Sequence, residues 1–240
     1  MGKVRLDRAL SKLGMASRSD ARRLIVEGRV AVGGRAIKDP AQLVVPELAD
    51  IRIDGVARPR ARWRTIALHK PRGTVTTRRD PRGRKTVFDL LGDDAGSLVA
   101  VGRLDLASSG LLILTTDTQL AARLTDPANA IVRRYVVTAR GAVSDEAIQK
   151  MTAGIDGLQA TSIAVLKRSR RETHLTIELT EGKNREIRRL LSAVGHEVTR
   201  LLRVSFGPIE LGTLPPGTWR EVTRQEIEHA ISASGRMVTR

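Results

Sequence analysis

The chain has 240 residues and a mass of 26.2 kDa, which at roughly 150 residues per domain leaves room for one large domain or a small one plus a medium one. It carries 42 Lys+Arg against 26 Asp+Glu, a formal charge of +16, so a polyanionic partner is the first expectation, nucleic acid ahead of an anionic membrane surface. Zero Cys excludes a disulfide framework and thiolate zinc sites, and His69, His174, His196 and His229 never fall at metal-ligand spacing.

Of the 42 basic residues 34 are Arg, whose planar fork suits phosphate. Five aromatic residues are too few for a stacking platform, so any RNA grip must come mostly from arginine and backbone. The first twelve residues include Lys3, Arg5, Asp7, Arg8 and Lys12 and no apolar core of a signal peptide, which reads as cytoplasmic. The longest uncharged apolar run, 106–116, is eleven residues, short of the roughly 20 a membrane helix needs. Nothing in the pattern calls for an obligate dimer, so a monomer is expected.

In chain order, Leu6, Ala9, Leu10 and Leu13 recur at helical spacing, with Gly14 as a stop. Ser17 or Ser19 can cap a second helix carrying Ala21, Leu24 and Ile25, and Gly28 sits where its C-terminal cap belongs. Val30-Ala-Val32, a Gly33-Gly34 turn and Ala36-Ile37 predict a tight hairpin, and Ile51-Arg-Ile53 a further strand. Arg18, Arg22 and Arg23 open the second helix, an arrangement that suits phosphate but also describes an ordinary solvated helix face. Residues 56–64, with four arginines and one proline, read as a semi-stiff basic linker.

A second domain is expected from about Thr65. Its β-rich runs at 132–138, 163–166, 173–179 and 201–206 alternate with helical stretches at 119–124, 145–151 and 185–193, a pattern that argues α+β. Before an apolar run, Gly102-Arg-Leu-Asp105 and the small-residue turn at 107–110 present Asp105 at the start of a buried strand. On spacing alone, an Asp before such a turn is more often a hydrogen-bonding or capping residue than a catalytic one. Asn184 can cap a helix whose stripe is Ile187, Leu190, Leu191 and Val194, leaving Arg185, Arg188 and Arg189 on the exposed or cleft-facing side.

Two resemblances sharpen this reading. Arg5-Leu-Asp-Arg-Ala-Leu, Ala16-Ser-Arg18 and Glu27-Gly-Arg-Val-Ala-Val-Gly-Gly34 resemble the S4 RNA-binding domain, with Gly33-Gly34 where Asn-Gly is usual. Gly102-Arg-Leu-Asp105 followed by Ser109-Gly-Leu-Leu resembles the signature of the pseudouridine synthases. Lys70-Pro-Arg-Gly73 with Asp80-Pro-Arg-Gly-Arg-Lys-Thr-Val-Phe-Asp89 is similar to that family's first motif, and Glu181-Gly-Lys-Asn-Arg-Glu-Ile-Arg-Arg to its third. With the S4 domain, the chain resembles the RsuA/RluB branch, and looks more like its RluB side. Departures are Ala107, where Asn or Asp is common, and Asp126-Pro127, where His-Pro is common.

The resemblance implies an S4 domain and linker over 1–63 and, over 64–240, a catalytic domain with a mixed, largely antiparallel sheet flanked by helices. It implies isomerisation of uridine in 23S ribosomal RNA, free or in a ribosomal precursor particle, without cofactor or metal. The alternatives are a 16S enzyme of the RsuA type and a non-catalytic ribosome-assembly factor. Asp105 is then the essential aspartate, Arg188 its cation, and Tyr135 the ring on the target base, although Tyr135 could equally be a buried structural tyrosine. Leu202 would line the uracil pocket. The residues expected to touch RNA are Arg18, Arg22, Arg23, Lys70, Arg72, Arg82, Arg84, Lys85, Arg103, Lys183, Arg185 and Arg189, with 78–85 expected as a mobile clamp. The Lys167-Arg-Ser-Arg-Arg171 cluster reads as a solvated hairpin tip.

Overall fold

The computed structural model describes residues 2–46, 48–57 and 63–233. Residues up to 65, with 96–99 and 115–121, group as one unit, and the rest of the described chain as the other. Most of the anticipated basic linker, with Arg58, Arg60 and Arg62, lies outside the described residues.

The first unit contains β1 (Val4–Arg5), α1 (Leu6–Lys12), α2 (Arg18–Val26), β2 (Val30–Val32), β3 (Arg35–Ile37), β4 (Leu43–Val44) and β5 (Ile51–Ile53). Leu6, Leu10, Ala21, Ile25, Val30, Val44 and Ile53 close its core. Ser17 caps α2 by accepting from the Asp20 amide, and Gly28 ends it at φ 73°. Gly33 and Gly34 take φ of 57° and 81°, the doubly positive turn that joins β2 to β3 without splaying them. β5 pairs with the other side of β2, and two-residue β1 with β4. That last pair is too short to show in any periodicity.

The chain continues through β6 (Thr65–Lys70), α3 (Val87–Leu91), β7 (Val99–Ala100), β8 (Ser109–Thr115), α4 (Thr118–Thr125), β9 (Arg133–Arg140), α5 (Asp145–Ala153), β10 (Ser162–Arg168), β11 (Glu172–Leu179), α6 (Glu186–Ala193), β12 (Val198–Phe206), β13 (Ile209–Glu210), β14 (Trp219–Glu221) and α7 (Arg224–Ala233). The sheet of the second unit runs β10-β11-β9-β12-β8-β6-β14, with β13 beside β12. It is antiparallel from β10 to β12 and parallel between β12 and β8, so the α+β expectation holds.

Burial follows position in that order. β11 alternates strictly, one face in and one out, whereas β8 is buried on both faces from Gly110 to Thr115. Such a strand reads as a continuous apolar run, which is why 111–114 stood out in the sequence. α3, β6, β7, β13, β14 and α7 were not anticipated. α3 is announced by a reciprocal box, Thr86 Oγ1 accepting from Asp89 N at 3.1 Å and Asp89 accepting from Thr86 N at 2.8 Å.

Two local expectations are corrected. Asn184 does not cap α6: Arg185 occupies the N-cap in the left-handed region at φ 51°, and the Glu186 carboxylate takes the Lys183 amide at 3.1 Å. The Asp80–Arg84 segment is a braced turn, with Asp80 accepting from the backbone amides of Arg82 and Arg84 and from the Arg84 guanidinium. That guanidinium holds the Asp80 carboxyl far below its usual range. Arg84 is therefore engaged within the loop by Asp80.

Gly110 marks the tightest approach in the sheet. A Cβ there would lie 2.3 Å from the Arg203 carbonyl oxygen and 2.6 Å from its nitrogen, both backbone atoms of the parallel neighbour, and φ is 106°. Gly110→Ala should lower the thermal midpoint by several degrees, corresponding to about 2 kcal/mol or more, because β8 and β12 must separate. Thermal unfolding of the purified variant checks this.

Candidate active site

The stretch that carries Asp105 is a turn with few internal bonds of its own, the Ser108 amide meeting the Asp105 carbonyl at 3.0 Å. Segment 70–76 holds it from outside. Lys70, at the end of β6, is fully buried, and its Nζ donates to the carbonyls of Pro71 (3.1 Å), Asp105 (3.0 Å) and Ser108 (2.8 Å). The Gly73 amide donates to the Leu106 carbonyl at 2.8 Å, and Thr76 Oγ1 both donates to and accepts from the backbone of Leu104. The turn thus needs no Asn or Asp at 107.

Tyr135 enters from the other side on β9, 7% exposed, with its Cα opposite Arg203 of β12. Arg188 projects from α6, half-buried, donating Nη1 to the Val198 carbonyl at 2.9 Å and Nη2 to the Ala107 carbonyl at 3.2 Å. Burial, reinforced by Arg185, lowers the pKa of this guanidinium, and Asp105 opposes the shift. Among the described residues no ion pair joins Arg188 to Asp105. Arg188 faces the aspartate through the backbone of its turn and through space.

Asp105, Tyr135, Arg188, Arg103, Lys183 and Arg185 all line one cleft of about 600 Å³. Lys183 is tied to the Gly157 carbonyl and to Glu181 at the rim. Arg103, Arg185 and Arg189 are exposed and make no ion pair or side-chain hydrogen bond among the described residues. Arg189 lines a smaller hollow of about 400 Å³ that shares Arg185 and Arg188 with the cleft. Arg72, Arg82 and Lys85 are exposed outside the cleft lining. On the first unit Arg18 is exposed and has no side-chain partner among the described residues, whereas Arg22 reaches Asp7, and Arg23 reaches Asp20 and Glu27.

Two candidates are displaced. Lys70 cannot meet RNA, because burial hides it and three carbonyls occupy its donors. Leu202 does not line the cleft; Leu201 does, since alternate residues of a strand face opposite ways.

The residues missed are Arg133, Arg203 and Phe206. Both guanidiniums lie against the Phe206 ring, 4.8 and 5.3 Å from its centre, and both side chains are buried. Arg133 donates to the Thr180 carbonyl, and Glu186, its pKa raised by burial, is its nearby acid. The available signal was an arginine in phase with the inward-facing Leu201 and Ser205 of a strand.

A profile of the RNA pseudouridylate synthase family matches residues 64–193, and one of the S4 domain matches 4–48. An uncharacterized RNA pseudouridine synthase of Aquifex aeolicus (strain VF5) is 38% identical over 98% of this chain and 96% of its own. Ribosomal large subunit pseudouridine synthase B of Yersinia pestis is 40% identical, covering 91% of this chain and 72% of its own. A crystal structure of a pseudouridylate synthase superposes with a TM-score of 0.66 at 26% identity, covering 95% of this chain and 99% of that one. A mixed sheet with an aspartate turn, a tyrosine and an arginine around one cleft is the scaffold of an RNA-modifying isomerase. The chain belongs to the RNA pseudouridine synthases, in the RsuA/RluB family, which carries an N-terminal S4 domain.

Burial brings the Lys70 ammonium down to about 8, partly opposed by Asp105 and reinforced by Arg203. Between about 8 and its ordinary 10.5 the unfolded chain holds the extra proton, so this group's contribution to stability rises with pH across that window. Activity should move the opposite way, because a neutral amine has two donors for three carbonyls. The expected kcat profile has an alkaline limb near pH 8 that is missing from Lys70→Met, itself slower by about tenfold or more at neutral pH. Paired pH–rate profiles test this; an unchanged limb in the variant assigns it to another group.

Proposed function

We propose that the protein isomerises a specific uridine of large-subunit ribosomal RNA to pseudouridine, with Asp105 as the essential carboxylate. The observation that carries the reading is the convergence of Asp105, Tyr135 and Arg188 on one cleft of about 600 Å³, a size that suits a single extruded nucleoside. The preference for large-subunit RNA rests on the name of the Yersinia pestis relative.

The reaction breaks the N1–C1′ bond, turns the uracil and joins C5 to C1′, and the C5 proton is finally transferred to N1. Atoms and electrons balance without an oxidant, a reductant or water. Ionised Asp105 serves either as nucleophile at C1′ or as base at C2′, and both routes end in the same product. The Tyr135 ring offers a flat face to the uracil, and its hydroxyl is the candidate acceptor for the C5 proton. Lys70 and Arg188 both donate to backbone carbonyls of the Asp105 turn and so hold the carboxylate in place at the cleft.

Phosphate contacts fall first to Arg103, Arg185 and Arg189 around the cleft and to Arg18 at the start of α2 in the S4 unit, which no acid holds among the described residues. Replacing Arg103, Arg185 and Arg189 together with Gln should flatten the slope of log affinity against log salt by about 2 to 3, at roughly 0.7–0.9 per phosphate contact. Arg84→Gln should leave that slope unchanged. Filter binding across a salt series distinguishes the two groups.

Pseudouridine mapping on unmodified 23S and 16S transcripts tests the function itself. Wild-type protein should create one site in 23S RNA, and Asp105→Asn none, with RNA affinity within about threefold of wild type because phosphates supply most of the binding. A site in 16S RNA would move the protein to the small-subunit enzymes. No site on either transcript, despite tight salt-sensitive binding, would favour an assembly factor.

A further inference from the structure

We infer that Arg203 is a positioning residue for the isomerisation: its guanidinium ties β12, the strand paired with the one that carries Tyr135, to the strand that follows the Asp105 turn. This rests on the roles of Asp105 and Tyr135 proposed above.

Arg203 occupies the one place where the two halves of the site share a neighbour. Its Cα pairs with Tyr135 across the antiparallel β9–β12 ladder and with Gly110 across the parallel β12–β8 contact, five residues beyond Asp105. The β9–β12 register shifts on both sides of this point, between Val198 and Arg200 and again between Arg203 and Ser205. Bulges of this kind re-aim side chains next to sites, and here they flank the position from which Arg203 projects.

The tie is visible. Arg203 Nε donates to the Leu111 carbonyl of β8 at 2.7 Å, while the guanidinium rests on Phe206 at 5.3 Å, the ring that also carries Arg133. Lys70 grips the carbonyls of residues 105 and 108, and Arg203 grips that of 111, so two buried cations hold successive points of one segment. Gly110 lets the Arg203 backbone come within reach.

A folding role alone does not account for a charge here. Arg203 is 3% exposed and makes no ion pair among the described residues, and its Nη2 is buried without a partner. Burying an uncompensated guanidinium is costly, and an apolar side chain of similar length would be easier to accommodate. Among the described residues, the three buried side-chain atoms that lack partners, on Ser108, Arg188 and Arg203, all belong to residues lining this cleft. Unsatisfied donors concentrated at one place mark a site held for function at the expense of stability.

The test uses the full chain and the transcript modified by the wild type. Arg203→Met should keep or raise the thermal midpoint, keep KM for RNA within about threefold, and lower kcat by about 10- to 100-fold, the scale of a misplacement near 1 Å. Its residual activity should show the alkaline limb moved to higher pH, because Arg203 depresses the Lys70 ammonium. Arg203→Ala should regain at least fivefold when ethylguanidinium is added. Wild-type kcat in folded Arg203→Met, a kcat loss matched by an equal loss of affinity or by a collapsed midpoint, or an absence of rescue would each overturn the role. Should Arg203→Met not fold, Arg203→Lys decides by the same criteria, since it keeps the charge and loses the Nε bond. Asp105→Asn run alongside keeps the failures apart. Activity in Asp105→Asn overturns the reading of the aspartate, whereas an inactive Asp105→Asn beside a fully active Arg203→Met overturns the role of Arg203 alone.

Discussion

The Lys70 ammonium directs its three protons at three backbone carbonyls, those of Pro71, Asp105 and Ser108, in a place with no access to water. Carbonyls around a buried cation satisfy it without neutralising it, so the charge remains as a field while the hydrogen bonds shape the chain. The Asp105 turn has almost no internal bonding, and its conformation follows from that ammonium, from Thr76 and Gly73 on one side and from Arg188 on the other. The carboxylate is thereby presented by a turn whose backbone points its carbonyls into the protein, away from the cleft.

The same chemistry divides the arginines into two populations. Those with acids or carbonyls on them, such as Arg29 on Asp54, Arg84 on Asp80 and Arg220 on Glu226, brace turns and strand ends. Most are surface pairs of small energetic worth, whose value lies in fixing local geometry. Among the described residues, those without a side-chain partner include Arg103, Arg185 and Arg189 beside the cleft and the smaller hollow and Arg18 at the start of α2, together with others spread over the surface, such as Arg8, Arg35, Arg72, Arg82, Arg171 and Arg200. An excess of +16 attracts a polyanion over much of the surface, and the unpaired forks beside the cleft are those placed to meet RNA whose nucleotide enters it.

Periodicity and turn chemistry made the S4 helices, their Ser17 cap, the Gly33-Gly34 hairpin and the strands β9, β11 and β12 legible before the fold was seen. Asp105, Tyr135 and Arg188 came from motif resemblance, which pattern alone could not have supplied. What stayed hidden was of three kinds. Two-residue strands such as β1 and β4 are shorter than any period. That the Lys70 ammonium points inward does not show in a sequence, and the resemblance that names Leu202 as a pocket residue does not carry the phase of an irregular strand, which is set by its neighbours and turns Leu201 to the cleft. Arg203 and Arg133 were overlooked because arginine on a strand is ordinarily solvated, and only tertiary packing shows these two beneath the cleft against Phe206.

At the far end of the sheet from β14, β10 is an open edge carrying Val165 and Leu166 at 39% and 59% exposure, features that in a flat strand would template self-association. Its ladder with β11 slips between Val165 and Lys167, breaking the row of free amides and carbonyls into short pieces, and Lys167 and Arg168 follow at once. A second copy finds neither a continuous edge nor a neutral one. The bulge and the cations beside it blunt an edge whose exposed apolar pair would otherwise favour strand addition.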